Sequence, residues 1–395
     1  MKAPRGFRFS FWSLIFFLSY IFFLHHAVLK EEFMGISRRD FVKGTILAGA
    51  AAAAVPTILV RKAPAEWAKK TIIHPNVNNL RVVGITNPRM TKQIEMRASW
   101  EQQQELVVSE QVWESLDKMA CALVETKDPK DAWKGIFIKP PEKSWSDTVV
   151  AIKTINIGQQ YTRSAVMAKV CHTLVEVAGV KPANICIYDG KHGQTIHWKT
   201  PFAGLPKGVR IMNDWGGIST PVAVPSPWKE QNGKSEILKA LADGTVDILV
   251  NIALCKGHQT QFGGFTMAMK NHMGTFAPLH CHGNGAQDYL LAVNMTPEIL
   301  GPLDRKTGRV LYPRQQLCLL DGLWANERNP VGLPSHQPNF LAMGVFAPVF
   351  DYILATQFRG KTMGWPPNMQ ATARFLTDFG YEEKDLPGGG RIVEI

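Results

Sequence analysis

Residues 148–190, TVVAIKTINIGQQYTRSAVMAKVCHTLVEVAGVKPANICIYDG, decide the architecture. The β-branched run 148–155 predicts a buried strand. Over 163–178, Val166, Val170, Leu174 and Val175 recur at helical spacing, and Gly179-Val180-Lys181-Pro182 then stops the helix. A second apolar run follows at 184–188. Strand, helix and strand in this order form a βαβ crossover, which places the two strands parallel. Outward from it the alternation continues, with strands expected at 80–86, 209–212, 246–252, 315–320 and 340–346. Helices are expected at 109–124, 234–242, 264–273, 348–358 and 368–379. The fold class is α/β, a mainly parallel sheet flanked by helices, with a ligand crevice at the strand carboxyl ends. The proline-bearing stretches 127–146 and 221–233 read as surface connections.

Those strand ends carry polar groups. The first expected strand leads from Lys153 to Asn156, the next to Asp189-Gly190, and 209–212 to Asn213-Asp214. Strand 246–252 leads to Lys256-Gly257-His258, and 315–320 to Asp321-Gly322. A single Asp-Gly is equally well a turn. Five such ends on one sheet edge favour a site.

The densest chemistry is 251–285, NIALCKGHQTQFGGFTMAMKNHMGTFAPLHCHGNG. Gly263 and Gly264 precede an expected helix, where exposed N–H groups would suit an anion. On that helix Thr266 and Lys270 would share a face. A lysine in an apolar helix either snorkels or has a lowered pKa and a chemical role, so Lys270, with His258 and Lys256, is a catalytic candidate. His280 and His282 flank Cys281; in an extended segment both imidazoles would point one way and the thiol the other. With His258 they form a candidate metal set, against the plainer reading of hydrogen-bonding histidines in a polar loop. Gly263, Gly264, Asn271, Lys153, Asn156, Asp189 and Asp321 are the cofactor-binding candidates. His192 and His197 are weaker ones.

Charge looks informative until it is located. The chain has 395 residues, 44 Lys and Arg against 33 Asp and Glu, and a formal charge of +11. Residues 1–65 supply +6 of it, which leaves +5 for the other 330. No aromatic-interleaved basic stretch suggests nucleic acid. Residues 11–29 are apolar and long enough to span a bilayer, and they read as a membrane helix or a general secretory signal, with Lys2, Arg5 and Arg8 before them. Met34 would also be a normal start, in which case 1–33 reflect an upstream start codon. Ser37-Arg38-Arg39-Asp40-Phe41-Val42-Lys43, an Ala/Gly-rich run and Ala63-Pro64-Ala65 resemble a twin-arginine signal peptide with its cleavage site.

That resemblance implies the twin-arginine translocase as partner and export across the cytoplasmic membrane. The product would be periplasmic or anchored on the outer face, touching the membrane only through its N-terminal segment. It also implies folding before export, commonly with a cofactor already inserted. The six cysteines show no Cys-x-x-Cys pair, which disfavours a four-cysteine iron–sulfur cluster and leaves a metal ion or an organic cofactor open. The expected layout is 1–33 anchor or upstream start, 34–65 signal peptide, 66–147 an N-terminal extension with a helix, and 148–395 the α/β domain.

VVAIKTIN, VEVAGVKPANICIYDG, Lys256-Gly257-His258, the helix element Lys270-Asn271-His272-Met273-Gly274 and LCLLDGLWANE together resemble the family called domain of unknown function 362. The resemblance covers roughly 148–346. Members described as iron–sulfur proteins carry an added cysteine run that this chain lacks, and Ala253-Leu254-Cys255-Lys256 replaces the usual Pro-Lys. A more distant similarity, in the order His258, Gly263-Gly264, Lys270 and His280 or His282, is to the lactate racemase family, where a lysine carries a nickel nucleotide. Two functions follow as expectations. One is an exported metal- or cofactor-dependent enzyme acting on a small anionic substrate; the other is a non-catalytic ligand-binding or accessory protein for an exported redox system.

Overall fold

The crossover forms as the sequence dictates: Val150–Lys153 and Ile185–Tyr188 pair in parallel, Ile152 opposite Ile187. The computed structural model describes residues 72–190, 202–212, 217–259, 263–282, 285–304 and 310–395, all within the compact unit Leu59–Ile395. The main sheet contains β1 (Val83–Thr86), β2 (Val150–Lys153), β3 (Ile185–Tyr188), β4 (Arg210–Met212), β5 (Ile248–Gly257), β6 (Phe265–Thr266), β7 (Gln315–Ala325), β8 (Phe340–Gly344) and β9 (Val393–Glu394). Their spatial order is β9-β1-β8-β7-β5-β2-β3-β4, with β6 hairpinned onto β5. The run β7-β5-β2-β3-β4 is parallel, and β8 is antiparallel to both β7 and β1.

The central strands are buried on both faces, so their alternation sorts apolar side chains into two layers. Val150, Ile152, Val250, Ile252, Leu317 and Leu319 point to one layer. It is covered by α1 (Ser109–Val124), α2 (Pro129–Ile136) and α3 (Ser164–His172). Ala253, Cys255, Cys318 and Leu320 point to the other, against α4 (Ala268–Asn271), α5 (Ala286–Val293) and α6 (Ala347–Ile353).

Several expectations change. Residues 234–242 are not one helix: Lys234–Leu238 is a strand antiparallel to Ile218–Ala223, and only Lys239–Ala242 is helical. Its apolar run was too short for periodicity to separate the two states. The expected helix 264–273 splits into β6 and the single turn α4. Within the expected connection 127–146, Asp128 caps α2 by accepting from the Asp131 N–H at 2.9 Å, and Pro129 takes the first helical position, where its missing N–H costs nothing. Residues 66–147 also supply β1, which lies inside the main sheet between β8 and β9.

The two N-terminal apolar segments, the twin arginines and the cleavage motif lie outside the described residues. Among the described ones no helix is long and apolar enough to cross a membrane.

Candidate functional site

A closed polar network lies beneath the carboxyl edge. Lys153, the last residue of β2, sends its ammonium to Asp189 Oδ1 at 2.7 Å, to Asn271 Oδ1 at 3.3 Å and to the Thr154 carbonyl. Asn271 donates in turn to Asn251 Oδ1 (2.8 Å) and the Ile252 carbonyl (3.1 Å). Asn251 donates to the Ala268 carbonyl (2.9 Å) and Gln315 Oε1 (3.1 Å), and His272 Nε2 lies 2.7 Å from that same Gln315 oxygen. His272 reaches Thr275, whose hydroxyl lies 2.9 Å from that of Tyr188, next to Asp189. Every side chain from Lys153 to Tyr188 in this circuit is buried. Burial lowers the His272 pKa to about 3, so its imidazole is neutral.

Backbone contact seals this layer. A Cβ on Gly190 would lie 1.9 Å from the Gly274 carbonyl oxygen, and one on Gly274 2.5 Å from that of Asp189. Both glycines have positive φ, at 94° and 107°. Asp189-Gly190 is therefore more than a turn: it seats the carboxylate against the Lys270–Gly274 segment. Asp189 Oδ2 also accepts from the Asn156 N–H at 3.0 Å.

Above the network the edge is cationic. Lys256 is 3% exposed, Lys270 8%. Burial lowers the Lys256 pKa to about 7; Asp189 opposes the shift, while Lys153 and Lys270 add to it. Burial lowers Lys270 to about 8, partly opposed by Cys281. His258 falls to about 3, through burial first and then the charges of Lys270, His282 and Lys256. Its ring centroid lies 6.0 Å from that of His282, and Cys281 Sγ lies 3.2 Å from His282 Nδ1. Thus Lys153, Lys256, Lys270, Asp189, Asn156, Asn271, His258 and His282 are brought to one edge.

Other candidates are placed elsewhere. His280 packs on Trp228 and Tyr289, with centroids at 5.3 and 5.4 Å. Pro278–Cys281 is a 3-10 turn, which removes the extended alternation expected of His280 and His282. The structure therefore does not assemble His258, His280 and His282 as a triad, and among the described residues no group of three or more His, Cys, Asp or Glu is arranged to hold a metal ion. Asp321 is not at a strand end, because β7 continues to Ala325. It accepts the Arg163 N–H at 2.8 Å and faces the buried Arg163 guanidinium at 3.4 Å.

Gly263 and Gly264 do not open a helix. They close the β5–β6 hairpin, in which the His258 N–H donates to the Gly264 carbonyl at 3.0 Å, and Thr266 lies on β6 opposite Lys256. The N–H groups that do begin α4, those of Ala268 and Met269, donate to the two carboxylate oxygens of Asp351, each at 2.8 Å. An internal anion thus occupies the position expected for a ligand. His192, His197, Asn213 and Asp214 lie outside the described residues.

Asn251, Gln315, Thr275 and Asp351 were not among the sequence candidates. Asp351 had a signal, a lone acid in the apolar run Phe346–Leu354. Gln315 had none, since its role depends on strand register.

A family model described as Domain of unknown function (DUF362) matches residues 150–347. The chain belongs to this family. The match runs from the first residue of β2 to the first of α6, so it holds every edge lysine and histidine of this DUF362 protein and stops short of Asp351. A second model, the TAT (twin-arginine translocation) pathway signal sequence, matches residues 35–56, which include Arg38 and Arg39. The DUF362 protein is exported across the cytoplasmic membrane by that translocase. No curated protein matches the chain.

Proposed function

We propose that this exported DUF362 protein binds a small anionic substrate at the carboxyl edge of β2 and β5 and acts on it by proton transfer through Lys256, with Lys270 and His258 beside it. The observation that carries this reading is the gathering of three buried lysines: Lys256 feels the charges of both Lys153 and Lys270, and the nearby carboxylate, Asp189, is already salt-bridged to Lys153. Clustered cations in a poorly solvated site disfavour one another, and a bound anion relieves that repulsion. Lys256, with its pKa near 7, can hold or release a proton at neutral pH, as general acid–base catalysis requires. His258, held neutral, is an uncharged hydrogen-bonding group in the same place.

Calorimetric titration of the mature chain with inorganic phosphate, sulfate and acetate tests the site. Binding that weakens as pH rises through 7 to 8, and that Lys256→Met weakens by about tenfold or more, is expected. No binding to the wild type, or equal binding to both, overturns it. Elemental analysis and intact mass of the chain purified from its native host test whether a metal or a covalent group on Lys270 accompanies the fold through export. Saturable binding with no turnover across a panel of small hydroxy and keto acids would move the conclusion to the ligand-binding class.

A further inference from the structure

The carboxylate of Asp351 lies in an apolar layer. It is 1% exposed, between α6 and the turn that carries Lys270 and Asn271, among Ala268, Met269, Phe346 and Phe350. Its two oxygens accept the Ala268 and Met269 N–H groups, one each, at 2.8 Å. Among the described residues, the groups facing it offer no compensating cation. Cys318 on β7 and Cys255 on β5 are thiols whose own pKa values it helps to raise. The guanidinium of Arg359 donates to Cys255 Sγ and to the Asn326 and Glu327 carbonyls. Arg374 pairs with Asp288 and Asp378.

A buried carboxylate without a cation lowers fold stability, and an apolar residue would pack there without that penalty. What the acid supplies is geometric. Four residues are too few to hold a helical turn by propagation alone, and the two charge-assisted hydrogen bonds fix its first peptide groups. Lys270 and Asn271 follow within two residues, so their placement depends on those bonds.

We infer that Asp351 is a positioning residue of the lysine site, a built-in pair of acceptor oxygens that holds the Ala268–Asn271 turn so that Lys270 faces the ligand and Asn271 holds Lys153. The inference rests on the proposed anion site for its purpose, but its structural core can be read without any ligand.

Burial raises the Asp351 pKa to about 7 in the fold, against 3.8 for an ordinary aspartate, and the two N–H bonds oppose the shift. The sign follows: the stability associated with the neutral acid is present below 3.8 and is lost as pH rises through 7. The test is Asp351→Asn in the full mature chain. Relative to wild type, the variant should gain thermal stability as pH is raised from 5 to 8. Hydrogen exchange should nevertheless accelerate, and only in the peptide spanning Thr266–His272. Phosphate affinity should fall about tenfold, and Asp351→Glu, which keeps the charge, should restore part of the protection.

Unchanged exchange in a folded Asp351→Asn overturns the inference. So does a variant that is unfolded or loses protection across the whole sheet, because the acid would then serve the fold and not the turn. If wild type binds no phosphate while the localised exchange effect is present, the anion site fails and the positioning role stands.

Discussion

Lys153 and Lys256 are both buried lysines at the carboxyl edge of adjacent parallel strands, yet their surroundings differ in kind. Lys153 is held by Asp189, Asn271 and the Thr154 carbonyl, inside a circuit that extends to Tyr188. Lys256 is disfavoured as a cation by burial first, and its charged neighbours pull in opposite directions, Asp189 favouring the ammonium and Lys153 and Lys270 opposing it. The first arrangement specifies a structure. The second crowds cations into a poorly solvated place, the feature on which the proposed anion site rests. One sheet edge thus separates a layer that fixes geometry from the layer to which the proposed function assigns the chemistry, and residue type alone does not distinguish them.

The strongest test of that contrast is Lys153→Met. It leaves the Asp189 carboxylate, 12% exposed, without its partner, and should destabilise the fold by about 3–5 kcal/mol in denaturant unfolding. A loss below about 1 kcal/mol would place Lys153 in the chemical layer instead. Next is Gly190→Ala, which forces a Cβ toward the Gly274 carbonyl at positive φ. It should lower stability by roughly 2–3 kcal/mol, while Lys256 keeps its titration near neutral pH. A Lys256 that reverts to an ordinary lysine in that variant would show the two layers to be one.

Acid probes the lower layer by another route. His272 in the network, and His74 outside it with its ring on the Ile136 carbonyl, are held neutral by burial, with pKa lowered to about 3 and about 4. For a base whose folded pKa is depressed, the stability is present above 6.5, the unfolded value, and is lost as pH falls toward the folded one. Each contributes a slope of about 1.4 kcal/mol per pH unit between those limits. Asp351 acts with opposite sign up to about pH 7. His272→Gln should reduce the measured slope of unfolding free energy against pH by one such share. An unchanged slope would show that His272 is not held neutral in the network.

Much of this was legible beforehand. β-branched runs with a stop signal at Gly179-Val180-Lys181-Pro182 give the crossover, and all seven expected strands form, although β5 and β7 run five residues further. Those extensions were hidden because Lys256 and Asp321, read as strand ends, are buried polar residues whose partners lie far off in sequence. Lys153, Lys256 and Asp189 were legible as a set because strand ends in a parallel sheet share an edge, and Lys270 and Asn271 because a lysine in an apolar helical stretch stands out. Asn251, Gln315 and Asp351 were not, since a hydrogen-bond circuit is fixed by register and by the packing of α6 on α4. His280 misled because the turn at Pro278–Cys281 breaks an alternation that holds only in extended chain.

The smallest expected effect on stability is also the most discriminating. Lys256→Met keeps an unbranched side chain at this β5 position and removes a charge that burial disfavours, so it should cost no stability. Because burial holds the Lys256 pKa near 7 in the fold, against 10.5 unfolded, the associated stability is present above 10.5 and lost as pH falls through 7. The variant should therefore be at least as stable as wild type at pH 7, with any gain shrinking toward pH 10. Phosphate affinity should nevertheless fall by about tenfold or more, a change of about 1.4 kcal/mol or greater in binding free energy. Stability and affinity would then separate at Lys256, whereas at Lys153 they fall together. If Lys256→Met unfolds like Lys153→Met, the edge is a single structural network and its cations need another explanation.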